Sequence, residues 1–411
     1  MRKRILFWTL VVVILFALGI QAARLSRVPQ RLLAVPSNLT TRAVIPGFPG
    51  ARYFVGIELE SFVREVVAAG KREQEFLARS GNLGSLPPVD LLAVSGGGDN
   101  GAFGAGLLNG WTSAGNRPKF KAVTGVSTGA MIAPFAFLGP EYDSVLKEVF
   151  TTLKPADVSS KRGLLAAIND DGLADNRPLR SLLSKYVNQA LLARIAEEYE
   201  RGRLLLVGTT DLDAGQPVIW NMGAIAASGA PNALELFRSI LVASAAIPVT
   251  FSPTMMHVEV DGTPYQEMHV DGGCSAQVFL YPPRMAAVAR KLGEKMQTGR
   301  GGRAWIIRNS PLAPEWRPVD RRTINIAGLA IASLIHHQGI GDLFRIYFTA
   351  QRDGIDFNLA YIGEDFTFPS KKEEFETAYM VKLYDYAFAL GRAGYPWKKV
   401  PPPLQHAADG Q

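Results

Sequence analysis

The chain has 411 residues, 47% hydrophobic and 20% charged, with 40 Gly, 26 Pro and a single Cys. That balance excludes a disordered tail, a coiled coil, a collagen and a polytopic membrane protein, and the length allows one large α/β domain or two ordinary ones with a sizeable core. The net charge of +7 is modest and dispersed, so nucleic acid is not an expected partner, while mild attraction to an anionic membrane surface is compatible with it.

In chain order, Arg2-Lys3-Arg4 precedes an apolar run from Ile5 to Ile20 and then Gln21-Ala22-Ala23-Arg24. A basic, then apolar, then small-residue order reads as a secretory signal or an uncleaved single-pass anchor over residues 1–23. Ile20 spoils the small-residue pattern at the cleavage site, and no cysteine follows for lipid modification. With the positive end held in the cytoplasm, the body is expected to be exported across the inner membrane, and so to be periplasmic, secreted or anchored. Residues 24–50 lack periodicity and read as a spacer. Helical spacing follows over residues 56–80.

Val89–Val94 is a short apolar run that breaks into Ser95-Gly96-Gly97-Gly98, which predicts a buried strand ending in a glycine loop. Ala102–Trp111 reads as a helix, Phe120–Thr124 as a strand and Thr128–Leu138 as a helix. Arg203–Thr209, Gln266–Val270 and Ala304–Ile307 are further strands, and Thr323–His336 and Lys372–Leu390 further helices. Strands alternating with helices imply a mainly parallel sheet covered on both faces. No period of about 20–50 residues recurs, so a solenoid or propeller is not expected.

Three short motifs carry chemistry. Gly125-Val126-Ser127-Thr128-Gly129 fits G-x-S-x-G between a strand and a helix, the setting in which a sharp turn presents a serine hydroxyl above a sheet edge. Gly96, Gly97 and Gly98, followed by Asp99-Asn100-Gly101, let successive backbone N–H groups converge on one point, as an oxyanion requires. The same letters spell G-x-G-x-x-G, but no acidic residue stands near Lys121, where a dinucleotide site would want one. Asp271-Gly272-Gly273 places a carboxylate at a strand end, where it can serve as a general base. Cys274 has no second cysteine to pair with, and the five histidines lie at no metal-ligand spacing, so metal dependence is not written in this sequence.

In order and in element context these three motifs, with Ala243-Ser244-Ala245-Ala246-Ile247-Pro248 ahead of the last, resemble the patatin-like phospholipases over about residues 88–285. The resemblance implies a three-layer α/β/α fold with a mainly parallel central sheet, and a Ser–Asp dyad that needs neither metal nor organic cofactor. Ser127 would be the nucleophile that forms an acyl-enzyme, Asp271 the base, and the Gly96–Gly98 amides the oxyanion hole. Gly101, Gly125, Gly129, Gly272 and Gly273 would be the motif glycines, and a lipid ester at a membrane surface the substrate. Many members carry a basic residue where this chain has Asn100, which bears on headgroup preference. The organisation expected is then 1–23 leader, 24–87 spacer and helical segment, 88–285 patatin-like catalytic domain, and 286–411 strands and helices packing on that domain.

Two other readings stand beside this one. His269, two residues before Asp271, shares its strand face and is a candidate for a Ser–His–Asp triad. The apolar stretch Ile324–Ile335 is a candidate partner surface for a catalytically silent, membrane-tethered binding protein.

Overall fold

The computed structural model describes residues 2–25, 31–81, 86–161, 171–294, 300–314, 316, 318–369 and 371–402. Helix α1 spans Arg2–Leu25, and α2 spans Glu60–Arg79. The strands are β1 (Arg52–Tyr53), β2 (Val89–Val94), β3 (Ala122–Val126), β4 (Ser160–Lys161), β5 (Ala174–Asp175), β6 (Leu204–Asp211), β7 (Gln216–Asn221), β8 (Thr254–Val260), β9 (Thr263–Asp271), β10 (Gly302–Arg308) and β11 (Ile355–Tyr361). Nine of them form one sheet in the order β1-β7-β6-β3-β2-β10-β11, with β9 joining β6 to β8. The five strands from β6 to β11 along this path are mutually parallel, and the antiparallel β1, β7, β8 and β9 extend the β6 end. The fold is therefore α/β with a mainly parallel central sheet between helical layers.

Alternation along the strands builds the two faces. On β2, Leu92 and Val94 enter one core while Ala93 enters the other. On β6, Leu205 and Val207 enter the first core, and Leu204 and Leu206 enter a cluster with Phe62, Val63 and Ala69 of α2. All eight β6 residues are buried, which is why it reads as an unbroken apolar run rather than an alternating one. The first face is covered by α3 (Gly101–Ser113), α4 (Thr128–Leu138) and the helix Thr377–Arg392. Gly106 and Gly110 let that last helix rest on the α3 backbone: a Cβ on either would stand 2.2 Å from the carbonyl oxygen of Tyr384 or Phe388. The second face is covered by α2 and by the helix Thr323–Asp353, whose Leu343, Ile346 and Ala350 pack on Ile306, Phe357 and Leu359.

Two expectations need correcting. Part of the stretch read as a spacer is packed: Ala43, Ile45 and Phe48 are buried in the main core and Val44 pairs with Glu259; just beyond it, Arg52–Tyr53 is an edge strand and Phe54 is buried in the same core. Its apolar residues lie among Pro and Gly in irregular backbone, which leaves no period to detect. The helix read as Thr323–His336 runs on to Asp353. Among the described residues no helix is long and apolar enough to cross a membrane.

Candidate active site

The pairing of β6 determines which side chains meet. Its first half pairs with β3, the last partners being Val126 and Gly208. There β3 ends and its chain turns away, and β9 takes over the same strand, with Thr209 opposite Asp271. The residue after Val126 is Ser127, so the serine and Asp271 arrive at adjoining positions along one edge.

Ser127 adopts φ 55° and ψ −126°, a backbone region that L-residues enter only when the surroundings impose it. The flanking glycines make that turn possible. A Cβ on Gly125 would stand 2.4 Å from the Gly129 carbonyl oxygen, and one on Gly129 would stand 2.2 Å from that of Val94. The Ser127 amide donates to Ser244 Oγ at 3.0 Å, and that hydroxyl donates to the Gly208 carbonyl at 2.7 Å. Ser244 thus ties the elbow to β6 at the point where β3 leaves it.

Asp271 is buried. Its Oδ1 accepts from the Gly273 amide at 2.7 Å. Burial pushes the carboxyl up to about 6, and the Ser127 hydroxyl and the Gly273 amide work against that rise. Gly272 is required by contact, since a Cβ there would lie 2.5 Å from the Gly208 carbonyl oxygen. Cys274 beside it is no nucleophile: burial, with the Asp271 charge, pushes its thiol up to about 12.

The glycine loop lies against the elbow, and its three glycines differ in role. The Gly96 amide is engaged, donating to the Gln277 carbonyl at 3.1 Å, so its part is clearance: a Cβ would press to 3.1 Å on that of Ser127. Among the described residues no hydrogen bond takes the Gly97 or Gly98 amide. The expected oxyanion donors narrow to these two. Gly98 has φ +58°, and a Cβ on Gly97 would stand 2.1 Å from the Asn309 carbonyl oxygen. Asn309, just past β10, holds the loop from behind. Its amide donates to Ser95 Oγ at 2.8 Å, its Nδ2 donates to the Ser95 carbonyl at 2.9 Å, and its Oδ1 accepts from the Gly104 amide in the first turn of α3. Gly101 gives the loop room against Thr128, whose Oγ1 a Cβ would meet at 2.3 Å. Lys371 Nζ lies 3.0 Å from Asp99, and Tyr379 donates to Asn100 Oδ1.

Residues 92–283 match the profile of the patatin-like phospholipase family. The chain carries a patatin-like phospholipase domain. This is an enzymatic, lipid-hydrolysing family, and the matched region contains the glycine loop, the elbow and the Asp motif. Among solved structures, the crystal structure of VipD from Legionella pneumophila is similar at 13% identity and a TM-score of 0.37, the match covering 76% of this chain and 68% of that one. No curated protein matches.

His269 of the patatin-like domain is fully buried and turned to other partners. Its Nδ1 is 2.9 Å from Thr209 Oγ1, which also accepts from Trp220 Nε1, and its Nε2 is 3.2 Å from Glu267. Glu267 pairs with the Arg52 guanidinium; burial opposes its charge, but the bonds to His269 and Arg52 outweigh burial and hold the carboxyl down at about 2. Asp211 completes the group, and the ligand atoms of Asp211, Glu267 and His269 lie within 4.8 Å of one another. Sequence spacing did not bring out this grouping, which is capable of metal ligation in kind. It does not suit an ion: Arg52 already supplies the cation, both ring nitrogens of His269 are engaged, and Asp211 Oδ1 accepts the amides of Asp213 and Ala214.

Beside the pair lies an apolar cavity of about 190 Å³. Val126 and Gly272, the chain neighbours of Ser127 and Asp271, line it together with Phe279, Leu280 and Ile346.

Proposed function

We propose that the chain is a serine acyl hydrolase that cleaves carboxylic esters of phospholipids or related lipids through Ser127 and Asp271. The observation that carries this reading is the juxtaposition of a serine held on a strained elbow with a buried carboxylate whose pKa burial raises into the working range of a general base. Asp271 takes the proton as Ser127 Oγ attacks the ester carbonyl. The tetrahedral oxyanion is held by the Gly97 and Gly98 amides. Collapse expels the alcohol, which leaves with the proton from Asp271, and an acyl-serine remains. Asp271 then deprotonates a water that attacks the acyl-serine, releasing the fatty acid and restoring the hydroxyl. Each step conserves protons within the pair, so neither metal nor cofactor is called for. The bonds of His269 to Glu267 and Thr209 favour the dyad over a triad. The basic, apolar and small-residue order of the leader supports export with a cytoplasmic N-terminus.

The experiment is labelling by a fluorophosphonate probe beside ester turnover, on wild type, Ser127→Ala and Asp271→Asn. Labelling and turnover in wild type, with both lost in Ser127→Ala, is the expected result. Turnover that survives loss of Ser127 would sink the mechanism, and a wild type that neither labels nor hydrolyses any acyl ester would favour a silent binding protein.

A further inference from the structure

The helix Thr323–Asp353 changes character along its length. Its second half is buried on the sheet through Leu343, Ile346 and Ala350. From Thr323 to Ile335 it carries no charged residue, yet it is largely bare: Leu334 is 70% exposed and Ile326 is 52% exposed, with Ala330 exposed between them on the same face and Ala332 exposed on another. An apolar helix face left in water gains nothing from burial, and propensity alone supports so short a segment poorly. Just ahead of it stand Trp316, 86% exposed, and Val319, 43% exposed, then Arg321 and Arg322, which are exposed and make no ion pair among the described residues.

The bare half begins at the candidate active site. Gln338 donates to the Ser275 carbonyl, and Asp342 accepts the Gln277 amide at 2.7 Å, which pins the helix to the segment that follows Asp271. A Cβ on Gly273 would be 3.6 Å from Ile335 Cγ2. The overhang therefore leaves the fold beside the catalytic base.

We infer that the helix over 323–335, with Trp316, Val319, Arg321 and Arg322 ahead of it, is a docking surface for an anionic lipid bilayer, the helix lying in the plane of the interface with its apolar residues at the headgroup–acyl boundary. The commitment to lipid rests on three coincident features. An uncharged, mostly apolar helix matches acyl chains, an exposed Trp suits the interfacial belt, and two arginines at one end, unpaired among the described residues, complement anionic headgroups. Docked so, the helix would bring the elbow to the lipid from which a substrate leaves.

The test uses the full chain, with vesicles of phosphatidylcholine and of phosphatidylcholine mixed with phosphatidylglycerol. Hydrogen exchange should slow across 323–335 when vesicles are added, more with phosphatidylglycerol than without. A second arm rests on the proposed acyl hydrolysis. Ile326→Asp combined with Leu334→Asp should lower turnover of vesicle phospholipid about tenfold or more, while hydrolysis of a short, monomeric ester stays within about twofold. Unchanged exchange on vesicles, or equal loss on both substrates, would overturn the docking surface. So would protection of 323–335 without lipid that grows with protein concentration, since a second copy would then be the occupant. A wild type that hydrolyses neither substrate would remove the acyl hydrolase reading alone, because the exchange arm still decides docking.

Discussion

Replacing Asp271 by Asn deletes a buried charge with almost no change of shape. The Asn Oδ1 can still accept the Gly273 amide, and its Nδ2 can donate to Ser127 Oγ. In the wild type, burial raises this carboxyl from its ordinary 3.8 to about 6. A rise of about two pH units, at about 1.4 kcal/mol each, means that the ionised group costs the fold about 3 kcal/mol. Because the folded pKa lies above the unfolded one, this cost is absent below about pH 3, grows between about pH 4 and 6, and is complete by about pH 7. The Asn variant should thus match wild type in acid and exceed it by about 3 kcal/mol in mild alkali. With an unfolding entropy of about 0.8 kcal/mol/K for a chain of this size, the gain is about 3–4 °C in Tm. Thermal scans of both proteins at about pH 3 and pH 8 make the comparison, and ester turnover should fall about 10³-fold in the same variant. A pH-independent difference, or a variant less stable than wild type at pH 8, would refute the assignment of Asp271 as a buried, ionisable base.

Ser127→Gly and Ser127→Ala should both be inactive, but the Gly variant should be more stable by about 1–3 kcal/mol in urea unfolding, since only Gly relieves φ 55°. Equal stabilities would show that the elbow stores no strain. Gly129→Ala should fail to accumulate as folded protein, its Cβ meeting backbone at 2.2 Å, whereas Gly98→Ala, with open space and only a positive φ to oppose it, should cost about 1 kcal/mol. Circular dichroism melts would separate the two. His269→Gln should retain turnover within about tenfold while losing about 2 kcal/mol or more of stability from its buried network; a loss of activity as large as that of Ser127→Ala would restore the triad. The acid limb of kcat/KM should fall near pH 6 and move in a variant that shifts the Asp271 pKa, and a limb that stays put would mean another group is titrating.

What could be read from the sequence was what the backbone imposes locally. Gly125 and Gly129 advertise the elbow because only glycine tolerates carbonyl groups at that range. Val89–Val94 announces a strand because both its faces are buried. Side chains that matter through distant partners carried no such mark. Ser244 looks like any helical serine until its hydroxyl bridges Ser127 and Gly208, and Asn309 acquires meaning only when β10 lies beside β2. The i, i+2 rule put His269 and Asp271 on one face correctly, but the same face also holds Glu267, and that neighbour takes the imidazole. β11 escaped notice because Asp356 and Asn358, which bind Lys399, interrupt its apolar residues. Gly339 and Gly341 made the long helix look finished early, although Gly339 is wanted there to clear Gln277 and Arg308.

The sharing of one strand between β3 and β9 has a consequence for how the chain is made. A growing polypeptide that has emerged as far as α4 already owns its serine and glycine loop, but it owns no base until β9 aligns on β6, and no brace for the loop until Asn309 arrives behind β10. Lipid-cleaving power is therefore a property of the finished sheet rather than of any early fragment.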